Sequence, residues 1–197
     1  TGGSSGIGQA ICELFAEEGA QVSIGDIDPD GGQTTLRRIK DQGGKAIFIK
    51  TDVSVESEVE NLVNSTVNAF GKVNILVNDA AAFIEGRVEE ITKSDWEKVL
   101  GINLIGPSLT SKLVLPIMRS AGGGSIVNIA SVSSFIAQPR FVPYNASKGA
   151  LLQLTRCMAL DMAPDNIRVN CVCPGYVRTE GGERRNLSKN ISDEEYT

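Results

Sequence analysis

The sequence predicts a doubly wound α/β fold, a parallel sheet with helices on both faces in three α/β/α layers. Three observations carry that expectation. Short β-branched runs alternate with longer helical patterns along the chain, as repeated βαβ units require. The strands expected from those runs are apolar on both faces, as parallel strands covered from both sides must be. The chain also opens on a glycine-rich turn, 1–8, that feeds directly into a helix, a join that normally follows a strand in such units. Crossovers should be right-handed.

Each element has its own signal. Ile7, Ala10, Ile11, Leu14 and Phe15 keep the i, i+3, i+4, i+7 rule, so 7–18 reads as an amphipathic helix that Gly19 ends. Val22 and Ile24 mark a short strand. Pro29 opens a helix to about residue 42, stopped by Gly43 and Gly44. A strand over 46–49, a helix over 55–70 closed by Gly71, and a strand over 73–77 follow. Residues 92–118 read as mostly helical, with Pro107 a kink and Pro116 near the end. The pattern closes with a strand over 125–130, a long helix over 144–163 and a strand over 167–173. Ser192 and Glu195 form a capping-box pattern near the end of the sequence. No repeat or linker divides the chain, so 1–197 reads as one domain.

Composition narrows the chemistry. The 197 residues carry 19 Lys+Arg against 24 Asp+Glu, a net charge of −5, which argues against nucleic-acid binding. No run of 18 apolar residues and no leader are visible, so neither a membrane nor an export route is expected. Histidine is absent, which excludes Ser-His-Asp hydrolysis and His-ligated zinc. The four cysteines, Cys12, Cys157, Cys171 and Cys173, read as small apolar residues in a reducing compartment, and no metal site is expected.

Two constellations remain. Glycines 2, 6 and 8 would let backbone N–H groups approach a pyrophosphate at a helix N-terminus. Asp26, 18 residues after Gly8, ends a strand where a carboxylate can accept ribose hydroxyls. A plain structural turn and a solvated strand-end Asp, like Asp28 and Asp30, are the bland alternatives. In Tyr144-Asn145-Ala146-Ser147-Lys148 the first and last side chains share a helix face. The lysine charge would favour the phenolate and move the tyrosine toward a usable acid–base range. Ser131, 13 residues upstream, ends a strand where ligands of parallel sheets sit, or is an ordinary polar turn residue beside Ser133 and Ser134.

In order and at this spacing, these residues resemble the short-chain dehydrogenase/reductase family, compact NAD-dependent type, with its Rossmann-type sheet. The resemblance covers essentially the whole chain. The family's TGxxxGxG loop corresponds to Gly2, Ser4, Ser5, Gly6, Ile7 and Gly8, its acidic ribose binder to Asp26 followed by Ile27, and its adenine-contacting pair to Asp52 and Val53. Its NNAG segment is Asn78-Asp79-Ala80-Ala81, and its PG segment is Pro174-Gly175 with Val177 and Thr179 following.

The resemblance implies four catalytic residues: Tyr144 as proton donor and acceptor, Lys148 as support for Tyr144 and holder of the nicotinamide ribose, Ser131 on the substrate oxygen, and Asn103 positioning a water. It implies a hydride transfer between NAD(H) and a secondary alcohol or ketone, a homo-oligomer (tetramer or dimer), and a cytoplasmic setting. A catalytically idle dinucleotide sensor of the same fold is the competing expectation. Asp79 and Ala81 depart from the motif: the carboxylate needs a partner or solvent, and the added methyl narrows the space near the nicotinamide. The family's first strand and C-terminal portion are missing from the sequence, which points to an incomplete record.

Overall fold

In the computed structural model, residues 1–179 are described, and helices alternate with strands that pair only in parallel. The order is α1 (Gly6–Glu17), β1 (Gln21–Asp26), α2 (Pro29–Asp41), β2 (Lys45–Lys50), α3 (Glu56–Phe70), β3 (Ile75–Asn78), α4 (Lys93–Leu100), α5 (Gly106–Ser120), β4 (Gly124–Ile129), α6 (Val142–Met162) and β5 (Ile167–Val172). The capping-box pattern at 192–195 lies outside the described residues.

Two apolar clusters hold the layers. Ala16, Val22, Ile24, Ile39 and Ala46 join α1 and α2 to one face of β1 and β2. On the other face of β1, a Cβ on Gly25 would meet Leu62 of α3 at 2.6 Å, so α3 covers the opposite side. The larger cluster joins Val63, Val114, Met118 and Met158 of α3, α5 and α6 to Ile126, Ile167 and Val169 of β4 and β5. Helices on both faces of parallel strands make the three-layer α/β/α fold.

Among the described residues the ladders form two groups, β1-β2 and β3-β4-β5, which leaves β1 and β3 unpaired toward each other, as a sequence without the family's first strand implies. No strand lies between β1 and β3 among the described residues, and the two edges face each other across a slot of about 620 Å³. Of the described residues, Thr1 and Gly2 bond across it. The backbone nitrogen of Thr1 donates to Val77 O at 2.8 Å and Gly2 N–H donates to Gly25 O at 2.9 Å.

Four local readings need correction. Asp28 is not merely solvated: it is the N-cap of α2, accepting from Asp30 N–H and Gly31 N–H. The irregularity in 92–118 is a π-helical turn, Gly101–Ile105, ahead of Pro107 rather than a kink at it. Proline has no N–H to return to the turn before it, so the widened turn falls there. The long helix starts at Val142, two residues early, because Pro143 suits a first turn. β3 in turn starts late, at Ile75, where β4 first offers a partner in Ser125.

The helical stretch Lys93–Ser120 is long and apolar enough by length and composition to cross a membrane. It nevertheless buries Asn103, Thr110 and Ser111 against the protein and carries a π turn. It reads as a layer helix of the α/β fold.

Candidate active site

Parallel strands bring their carboxyl ends to one edge, and the motif residues follow those ends. Asp26 closes β1, Asp52 and Val53 follow β2, Asp79, Ala80 and Ala81 follow β3, Ser131 follows β4 and Pro174 follows β5. A cleft of about 390 Å³ opens there, lined by Gly2, Ser5, Gly6, Ile7, Asp26, Ile27, Asp52, Val53, Ala80, Ala81 and Thr179, and also by Thr51, Asp79 and Ile102. The slot between the sheets is larger, but the cleft brings together most of the expected dinucleotide contacts, while Asn103, Ser131, Tyr144, Lys148, Pro174 and Gly175 lie outside its lining.

The glycine loop fits a pyrophosphate. Ser5, the N-cap of α1, makes no side-chain cap and the first turn holds no acidic residue, so the helix N-terminus is left to an anion. Gly6 has φ of +56°, and a Cβ there would touch Thr179 at 3.4 Å. Gly8 approaches the loop so closely that a Cβ would collide with the carbonyl oxygen of Gly2 and come within 2.6 Å of Asp79 Oδ2. The Asp26 carboxylate fixes the loop, accepting Ser4 N–H at 3.0 Å and Asp28 N–H at 2.9 Å. Of the cations nearest in sequence, Arg38 pairs with Glu13 and Arg37 donates to Thr34. Asp52 Oδ1 accepts both the N–H and the hydroxyl of Ser54.

Lys148 is 2% exposed and its Nζ donates to Ile129 O at 2.7 Å. Burial pushes its pKa down to about 8, opposed by the charge of Asp79 and by Cys171 and Cys173. Its Nζ lies 5.6 Å from the centroid of the Tyr144 ring. That ring packs on Phe83 at 4.6 Å, and Phe83 packs edge-on to Phe141 at 4.7 Å. The i, i+4 pair thus stands at the end of β4, held from β3 by an aromatic wall. Ser131 is buried, donates to Ser133 Oγ and accepts Ser133 N–H, both at 3.1 Å. Val132 N–H donates to Pro174 O, bringing Pro174 and Gly175 beside Ser131.

Two sequence-predicted residues sit deeper than expected. The Asn103 carboxamide, in the π turn, accepts Ala82 N–H and donates to Ala82 O and Ser147 Oγ. It therefore clamps the segment after β3 to α6. Asn78 is 3% exposed and absent from the cleft lining. Its side chain donates to Asn128 Oδ1 and accepts from Thr110, while Asn128 donates to Thr155. Sequence reasoning missed Asn128, Thr110, Thr155 and Ser147. Their only signal was a polar residue at a position where the pattern demanded an apolar one. Ser4, in the loop, and Gly8, in the first turn of α1, are buried and absent from the cleft lining, and Val177 is exposed beyond Gly175.

A family model described as short chain dehydrogenase matches residues 1–190. The chain is 44% identical over 181 residues to an uncharacterized oxidoreductase of Thermotoga maritima, covering 92% of this chain and 71% of that one. It is 37% identical to glucose 1-dehydrogenase 2 of Bacillus subtilis, covering 91% and 71%. The structure is similar to that of levodione reductase, with a TM-score of 0.91, 31% identity and coverage of 96% and 74%. Among such relatives the chain spans 65% to 74% of their length.

Proposed function

This chain belongs to the short-chain dehydrogenase/reductase family of oxidoreductases, and from that premise we propose that it interconverts a secondary alcohol and a ketone with NAD(H). We treat 1–197 as one unit that both binds the dinucleotide and carries the catalysis. The observation that carries the reading is the buried Lys148 beside the Tyr144 ring at the strand ends, adjoining a cleft under an uncapped helix N-terminus.

The glycine loop and α1 would hold the pyrophosphate, Asp26 the adenosine ribose, Asp52 and Val53 the adenine side, and Lys148 the nicotinamide ribose. Pro174, Gly175, Val177 and Thr179 would close over the ring. The dinucleotide supplies the hydride acceptor and donor. Tyr144 transfers the proton at the substrate oxygen, with the Lys148 charge favouring its phenolate. Ser131 donates to the same oxygen as charge develops there. Asn103 acts by tying Ala82 to Ser147, which lies between Tyr144 and Lys148 in α6.

Cofactor choice follows from Asp26. A 2′-phosphate would meet its carboxylate beside a neutral Ile27, with Arg37 and Arg38 engaged elsewhere. The aromatic wall of Phe83 and Phe141 and the exposed Phe135, Ile136 and Tyr176 favour an uncharged, largely apolar alcohol or ketone. The partners are that small molecule and further copies of the chain, in a cytoplasmic setting.

One experiment tests this reading. Initial rates at 340 nm with NAD⁺ or NADP⁺ are measured over a panel of secondary alcohols, for the wild type and for Tyr144→Phe. Turnover should be confined to NAD⁺, and Tyr144→Phe should lose roughly 10²–10⁴ of it while still binding NADH. Dinucleotide binding without turnover in any wild-type assay would leave the idle sensor as the function. Equal use of both cofactors would remove the role of Asp26.

A further inference from the structure

Cys171 and Cys173 take no part in the chemistry above. Two positions apart along β5 and its exit, they project to one face, and their sulfurs stand 4.0 Å from each other. Both are half-buried free thiols. Thr155 of α6 lies against the Cys171 thiol, so the face is the one that α6 covers. Cys171 is held in the ladder opposite Asn128, while Cys173 is the first residue past Val172, the last paired position, and leads into Pro174.

The distance decides what such a pair can hold. A disulfide needs the sulfurs at about 2.05 Å, so they would have to close by about 2 Å along a segment kept extended by the ladder and by Pro174. One metal ion asks for far less. At about 2.3 Å per bond, two thiolates stand roughly 3.8 Å apart at a tetrahedral angle and roughly 4.6 Å apart in a line. The observed 4.0 Å falls between those limits. Ligand count then selects the ion. The chain has no histidine, and among the described residues no third cysteine or carboxylate completes a metal-binding group. Zinc takes three or four protein ligands, whereas Cu(I), a soft ion that thiolates select, is satisfied by two.

We propose that Cys171 and Cys173 form a two-thiolate site for one Cu(I) ion. Binding exchanges the two thiol protons, which leave to solvent, for one copper–sulfur bond from each residue; copper stays Cu(I) and no electron moves. The site borders the proposed catalytic residues. Val172, between the two cysteines, pairs with Ile129, whose carbonyl holds Lys148 Nζ, and Pro174 O accepts Val132 N–H beside Ser131. It does not depend on the hydride transfer proposed above.

The test uses the full chain, reduced and kept free of oxygen. Cu(I) is supplied as its coloured bicinchoninate complex, and loss of the colour reads transfer to the protein. The wild type should take up one ion, and so should Cys12→Ser/Cys157→Ser, which keeps the pair. Cys171→Ser and Cys173→Ser should each bind roughly 10²-fold more weakly, because the second sulfur acts as an intramolecular ligand. Thermal melts check that each variant is folded. X-ray absorption at the copper edge, which needs no variant, should show two sulfur neighbours in the wild type. A wild type that draws no copper from bicinchoninate overturns the proposal. So does copper that stays with either single serine variant, or a copper edge that shows nitrogen or oxygen in place of the two sulfurs. Loss of the ion in Cys12→Ser/Cys157→Ser would place it on those thiols and overturn the proposal equally.

Discussion

The Lys148 ammonium stands where burial strips its water, with Ile129 O as acceptor and the Asp79 charge nearby. Its pKa, moved from 10.5 to about 8, corresponds to roughly 3 kcal/mol of lost preference for the charged form. The sign follows from the direction: below pH 8 the folded state carries the full penalty, and between about 8 and 10.5 the penalty is relieved. Lys148→Met should therefore be more stable than the wild type at pH 7, by about 1–2 kcal/mol after the hydrogen bond to Ile129 O is lost. That advantage should shrink as pH rises toward 10. Urea denaturation of both proteins at pH 7 and pH 10 measures it, and a methionine variant that is less stable at pH 7 would contradict the argument. The residues lining the cleft were legible because glycines and charges at strand ends have few other uses. The ties of Asn78 and Asn103 were not, because a buried carboxamide is defined by partners far away in sequence, Asn128 and Ser147.

Among the elements, the stretch Lys93–Ser120 leaves apolar surface still to be covered. Its apolar window is only 33% buried within the chain, although Val99, Val114 and Met118 are fully interior. Leu100, Ile102, Leu104, Leu109, Leu113 and Leu115 are only half-buried, Ile105 is 49% exposed, and Leu160 on α6 is 79% exposed. A helix apolar on more than one face needs a second cover, and a two-fold copy of the same face is the economical one. We expect a homo-oligomer by light scattering, dimer or tetramer, and a shift toward monomer in Ile105→Glu/Leu160→Glu. A monomeric wild type at micromolar concentration would refute it. Periodicity made these helices legible, but it did not give the π turn. A π turn depends on where the carbonyls go when Pro107 cannot donate, and hydropathy carries no trace of that.

At the scale of the whole molecule the alternation of elements was legible, and among the described residues the sheet parts between β1 and β3. The ladder alternates, so the edge of β1 that offers Gly25 O to Gly2 also offers the peptide groups of Ser23 and Gln21. The edge of β3 that offers Val77 O to Thr1 also offers Ile75. Thr1 and Gly2 already satisfy one group on each edge, which fixes both the entry point and the parallel direction of anything placed in the slot. A six-residue Val/Ile-rich segment fused directly before Thr1 should continue that line, pairing with both edges and laying alternate side chains on Ile11 and Phe15 on one side and on Val63 and Val114 on the other, all of which line the slot. Two ladders at about 0.5–1.5 kcal/mol per hydrogen bond and several buried side chains oppose the ordering of six residues. A net gain of a few kcal/mol would raise Tm by roughly 5–10 °C in a chain of this size. A Gly/Ser segment of equal length serves as the control, since it can reach the slot but brings nothing to bury. If both fusions melt at the temperature of the parent, the slot is not shaped for a strand and the two sheets are stable as separate ladders.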